Sequence, residues 1–274
     1  MRRAGRSSRS WGLPPLLEEL RAHRDRLPRG DPRTGQIDAL LNTVGPLLGA
    51  AAGGPIDPAA FGPLRGNAER PELDPTERAL RLCGLGMAEL AGGQTDAAVE
   101  HLREAVTIGP DSDSRKVECL MALGHALVQR YEDHRKRRDV VEAIEVLERA
   151  RGLTAGPAHP HWAQLSITLG WAQRLRGQRP LGRRTGQDAL LGHTVAVLLQ
   201  SGTAAATAAA RHAASEALDV ARWCLEDNDA VGAAQALDAG RGLVLQAAVR
   251  FGTVTDQLMS LGDDELAHRW RHGG

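Results

Sequence analysis

Aromatic residues are scarce, at 3% of 274 residues with one Tyr and two Phe. A chain so poor in flat rings builds few stacking platforms, which argues against capture of single-stranded nucleic acid. An excess of either charge is also missing. Lys and Arg total 34 and Asp and Glu total 34, so no long-range field favours nucleic acid or an anionic membrane, and any argument from charge is local. Lysine stands only at Lys116 and Lys136 among abundant Arg, Ala and Gly, the usage of a GC-rich bacterial gene. No apolar run approaches the ~18 residues of a spanning helix. The arginines of "MRRAGRSSRSWG" lead into no signal-peptide core before Glu18 and Glu19. Cys83, Cys119 and Cys224 form no CxxC pair. They read as separate small buried hydrophobes, without zinc or a disulfide framework, in a reducing, cytoplasmic setting.

Strand signals are nearly absent too, since β-branched residues are sparse and Ala, Leu, Arg, Glu and Gln dominate. The chain is therefore expected to be all-α. Residues 1–12 read as a disordered basic tail carrying Arg2, Arg3, Arg6 and Arg9, and 13–48 as N-terminal helices, the first opening at Pro14 and Pro15. Residues 49–75, dense in Gly and Pro, read as a linker.

Self-similarity follows over 76–178. Leu85-Gly86, Leu123-Gly124 and Leu169-Gly170 mark three first helices. Ala98, Leu102 and Ala105 mark a second helix, as do Ala143, Leu147 and Ala150, and later Ala233, Leu237 and Gly240, always at offsets of four and three. Those offsets put small, large and small residues on one face, so that two antiparallel helices approach closely around the large one. Hairpins of this size bury no face alone and must stack. The pattern resembles the tetratricopeptide repeat (TPR), which implies a right-handed superhelical solenoid; the repeats here are degenerate, with Glu89, Leu127 and Gln173 where the family has aromatics. "RYEDHRKRRD" reads as an insertion between the helices of the second repeat, with "HRKRRD" as a solvated loop.

Residues 179–274 read as further helices, 186–200, 203–226 and 229–250 among them, with Asp263 capping a last short one. Within the third, Gly240-Arg241-Gly242 has no preceding strand, so it reads as a packed helix and not as a phosphate-binding loop. "LLQSG", "ARWCLEDNDAVGAAQALDAGRGLVLQAA" and "LMSLGDDELAHRWR" resemble the neck that joins the repeats of actinobacterial CHAT-domain proteins (caspase-like, TPR-associated) to their peptidase-like domain. That resemblance spans 189–272 and implies a helical sensor governing a His/Cys peptidase domain. No His or Cys of this chain inherits a catalytic role from it.

Other candidates for chemistry have blander readings. His159-Pro160-His161 lacks a third ligand nearby and reads as a turn; His268 and His272 fall near a frayed terminus. Asp263-Asp264-Glu265 suits a helix start. The expectation is thus a non-enzymatic interaction or sensor module with no catalytic, metal or cofactor residues, whose partner is a protein or peptide, a CHAT-type peptidase domain being the candidate. The rival expectation is the regulatory part of a CHAT cysteine peptidase whose catalytic domain lies elsewhere. In a TPR-like phase His125, Gln129, Trp171 and Arg174 point into the concave groove; burial of Trp171 between repeats is the alternative.

Overall fold

The computed structural model describes residues 23–28, 61–68, 70, 73–112, 115–198, 203–261 and 268. All regular structure among them is helical. The bounded helices are α1 (Gly62–Ala68), α2 (Pro75–Ala91), α3 (Thr95–Ile108), α4 (Lys116–His134), α5 (Arg137–Gly152), α6 (Trp162–Leu175), α7 (Arg179–Leu198), α8 (Thr203–Glu226) and α9 (Ala230–Ser260). Two compact units divide the chain, Met1–Arg130 and Tyr131–Gly274. The tail expected over 1–12 and most of the helices expected over 13–48 lie outside the described residues.

In the first unit α1 packs on α2, and α2 on α3. Asp74 starts α2 by accepting from the N–H groups of Thr76 (2.8 Å) and Glu77 (3.0 Å), with Pro75 where a missing N–H costs nothing. The α2–α3 crossing is set by Gly86. A Cβ there would stand 2.5 Å from Leu102 Cγ and 3.1 Å from the Ala98 carbonyl, so only glycine admits the fully buried leucine. The expected small-large-small sets at 98, 102, 105 and 143, 147, 150 are all at most 1% exposed. At the far end of α3, Lys116 donates to the carbonyls of Val106 (2.6 Å) and Gly109 (2.5 Å), satisfying acceptors that a helix C-terminus leaves open.

Three expectations are corrected here. The 49–75 segment is not linker throughout: α1 lies inside it, and Phe61, 0% exposed, packs where a Gly92 Cβ would stand 2.7 Å from its ring. Cys83 and Cys119 are not separate thiols but a disulfide joining α2 to α4, Cα–Cα 5.7 Å. A spacing of 36 residues, one hairpin, returns the chain to the neighbouring helix and so brings two distant cysteines together. Their pairing also removes the cysteine argument for a reducing compartment. Finally, the "RYEDHRKRRD" insertion is absorbed as helix. Tyr131–His134 extend α4, Arg137 already begins α5, and only Arg135 and Lys136 link them, Arg135 at φ 56°.

In the second unit α5 packs on α6, α6 on α7, α7 on α8, and α8 on α9, which also touches α7. The α6–α7 hairpin runs across residue 178, where the repeats were expected to end. Its crossing is closer still than α2–α3. A Cβ on Gly170 would stand 2.7 Å from the Gly182 carbonyl oxygen, and one on Gly186 would stand 2.7 Å from the Trp223 ring. The middle position, held by Leu102 and Leu147 in other hairpins, is here Gly186; Trp223 from α8 supplies the missing bulk.

The α8–α9 pair meets through small residues. Ala206, Ala210, Ala213 and Ala217 lie buried on α8, and Ala233, Ala236, Gly240 and Leu243 on α9. Gly240 is the tight point, its absent Cβ 2.7 Å from Ala217 Cβ. Helix α9 runs unbroken through Gly240-Arg241-Gly242, as a packed helix requires. Leu237, however, is 45% exposed. The buried positions 233, 236, 240 and 243 step by three and four, and Leu237 falls off that face; the third small-large-small set therefore does not pack like the first two.

Candidate functional site

The C-terminal end of α5, the 153–161 link and the hairpin α6–α7 enclose an open cleft of about 510 Å³ in the second unit. Arg151 stands in the last turn of α5, where a cation complements the helix dipole. Its guanidinium carbon lies 4.7 Å over the Trp162 ring, and it donates to Asp188 Oδ2 at 2.9 Å. Trp162 opens α6 and donates from its indole N–H to the Asp188 carbonyl at 3.3 Å; Gly192 of α7 leaves the room, since a Cβ there would stand 2.7 Å from the ring. The floor is polar and closed: Thr185 donates to Gln173 Oε1 at 2.8 Å, and both residues are buried. Leu181 and Glu148 stand exposed among the lining residues. The cleft therefore offers an apolar contact, one cation held over an indole, and one carboxylate.

Of the lining residues, Leu169 and Gln173 stand out in the sequence as repeat positions only, and Arg151, Trp162, Leu181 and Thr185 carry no signal of a site there. The local signal is the Gly- and Pro-rich "GLTAGPAHPH" between two helices, long enough to leave a gap. In that link His159 Nδ1 accepts the backbone N–H of His161 at 3.2 Å, so the HxH serves its own turn. Burial first, and the neighbouring His161 second, lower the basicity of His159. Among the described residues no group of three or more His, Cys, Asp or Glu is placed to hold a metal ion.

The four residues expected in a groove fall two and two into the units. On α4, His125 is exposed and Gln129 half-buried. On α6, Trp171 and Arg174 turn inward. Trp171 donates to Glu132 Oε1 at 3.0 Å and stacks on Trp223, centroids 6.0 Å apart. Arg174, its side chain 4% exposed, donates to Asp227 Oδ2 (2.8 Å) and Glu226 Oε2 (2.7 Å) with its carbon 5.5 Å from the Trp223 centroid. Arg179 adds a 2.9 Å contact to Asp227. Burial opposes ionisation of Asp227, but Arg174, Arg179 and Arg183 outweigh it and hold the carboxyl below its usual range. Nearby, burial raises the pKa of the Cys224 thiol, with Asp229 adding to it.

No family model matches the chain, and no curated protein does. Among the described residues no helix is long and apolar enough to cross a membrane.

A second ionic cluster, centred on the buried Glu216, lies between α7 and α8. His193 Nε2 and His212 Nε2 approach the two oxygens of Glu216 at 2.5 and 3.3 Å. Burial would raise the Glu216 pKa, yet the hydrogen bonds from His193 and His212 overcome it and bring the carboxyl to about 2 from 4.5. A depressed folded-state pKa stabilises above the unfolded value and is lost as pH falls through the folded one. The stability from Glu216 is thus expected to be complete above about pH 4.5 and to vanish toward pH 2. Urea unfolding across that window is expected to show Glu216 taking up one proton, in addition to the uptake at Asp227 and other carboxyls held low in the fold. Glu216→Gln should make that limb shallower by one proton, Asp227 keeping its share; parallel acid limbs in the two proteins would show that the Glu216 carboxylate is not a group concerned.

Proposed function

We propose that this chain is a non-enzymatic helical module, built of TPR-like hairpins, that captures a protein or peptide segment and passes its occupancy to an effector. The observation that carries the reading is the open cleft in which Arg151 is held against Trp162 beside exposed Leu181. Arginine is among the side chains that most often anchor interfaces, and Arg151 is here held by the buried Trp162 ring and Asp188 before a partner arrives, which lowers the ordering cost of binding. The resemblance of 189–272 to the CHAT neck makes a peptidase-like domain the candidate effector.

The test is selection of a displayed random peptide library against the full chain, followed by titration of the winning peptides. Leu181→Arg and Glu148→Arg change exposed positions and are expected to leave the helices intact by circular dichroism. Leu181→Arg is expected to weaken binding about 10-fold, the loss of roughly one anchoring contact. Peptides that bind both variants as tightly as the wild type would exclude the cleft, and a library that yields no binder would exclude the reading.

A further inference from the structure

Helix α9 carries a pattern that neither its own hairpin nor the cleft uses. Its buried face takes Ala233, Ala236, Gly240 and Leu243. On the opposite side Val231, Ala234, Asp238, Arg241 and Leu245 are all exposed, at alternating steps of three and four. That is the seam spacing of a two-stranded coiled coil. Val231 is 69% exposed and Leu245 54%, and Leu237 and Val244 flank the seam at 45% and 38%. Such a row of uncovered apolar side chains on one long helix is a face made for another helix. Asp238 and Arg241, at the centre of the seam, make no ion pair with any described residue.

We propose that this face binds the same face of a second copy of the chain, with the two α9 helices antiparallel about a two-fold axis passing between Ala239 and Gly240. The seam is self-complementary in that one arrangement. Antiparallel pairing sets Asp238 against Arg241 of the second copy, twice, and sets Ala234 against Leu245, small against large. Parallel pairing would set Asp238 against Asp238 and Arg241 against Arg241. Leu237 of each copy then lies beside Val244 of the other, covering the flank of the charged layers. Gly242, exposed with nothing within 4 Å of the position a Cβ would take, adds no bulk at the other flank. A charged pair within an otherwise apolar seam fixes register and orientation while giving up some affinity, the familiar use of a polar layer in coiled coils. A face that recognises itself closes as an isologous pair and leaves no open end.

The cleft of the previous subsection is built on α5, α6 and α7, so this pairing stands or falls separately from it. Sedimentation velocity of the full chain over a concentration series is expected to show a monomer–dimer equilibrium. Asp238→Arg puts arginine against arginine in both charged layers and should raise the dissociation constant about 100-fold. Arg241→Asp added to Asp238→Arg restores the opposite charges and should restore the dimer. Both positions are exposed, so unchanged far-ultraviolet circular dichroism is expected in each variant and separates loss of pairing from loss of fold. A wild type that stays monomeric throughout overturns the proposal and leaves the face to a foreign helix. A dimer untouched by Asp238→Arg, or one that the charge swap does not rescue, overturns it as well.

Discussion

Arg174→Ala is expected to destabilise the second unit by about 3 kcal/mol, a fall of about 10 °C in its thermal transition. Removing the guanidinium leaves Asp227, whose side chain is 7% exposed, without its 2.8 Å partner, and leaves the Trp223 face without the cation above it. A buried charge stripped of its partner costs more than the pair was worth, because the desolvation of the survivor is no longer offset. Arg179 still reaches Asp227 at 2.9 Å but is half-exposed, which places the expected loss at the lower end of the range for buried pairs. Arg174→Ala combined with Asp227→Ala should recover part of the stability, since no lone charge remains. A single-variant loss below about 1 kcal/mol would show the pair to be worth no more than one at the surface.

Gly182→Ala is expected to cost about 2 kcal/mol net. The new Cβ would press on the Gly170 carbonyl oxygen and lie 2.6 Å from Arg174 Cγ. The carbonyl belongs to the backbone of a packed helix and cannot step aside as a side chain does, so overpacking of about 3 kcal/mol outweighs the gain of about 1 kcal/mol from helix propensity. Gly84 in α2 is the control. It too sits within a helix, but nothing lies within 4 Å of its Cβ position. Gly84→Ala should therefore show the propensity gain alone, about 1 kcal/mol of added stability. Equal effects at the two positions, measured by chemical unfolding, would contradict the close α6–α7 crossing.

How far the sequence foretold this structure depends on whether a feature is local. Helices and their core faces follow from periodicity, which each segment carries by itself; Leu85-Gly86 and the 98, 102, 105 set lie buried as their spacing requires. Features that need two distant segments were not legible. The Cys83–Cys119 bond depends on which helix follows α3 back alongside α2. The outward turn of Leu237 depends on the small residues of α8 preferring Ala236 and Gly240 as neighbours. Trp171 and Arg174 are residue types that anchor partners, and each has its partners inside the same unit, Glu132 and Trp223 for the first and Asp227 and Glu226 for the second. The cleft is illegible in the sequence for a related reason. It is made where a long link parts two helices, and neither Arg151 nor Trp162 belongs to the repeated positions.

Filling the α6–α7 crossing with Trp223 has a consequence for how this chain can be cut or recombined. Hairpin α2–α3 carries the filler of its crossing, Leu102, within itself. Hairpin α6–α7 borrows its filler from α8. It is no interchangeable building block: transplanted elsewhere, or shorn of α8, it would carry an indole-sized hole between Gly170 and Gly186 that no neighbour of ordinary repeat sequence would plug. Swaps and deletions in this part of the protein must therefore treat α6, α7 and α8 as one inheritable piece, and substitutions at Gly186 and Trp223 should be tolerated only together.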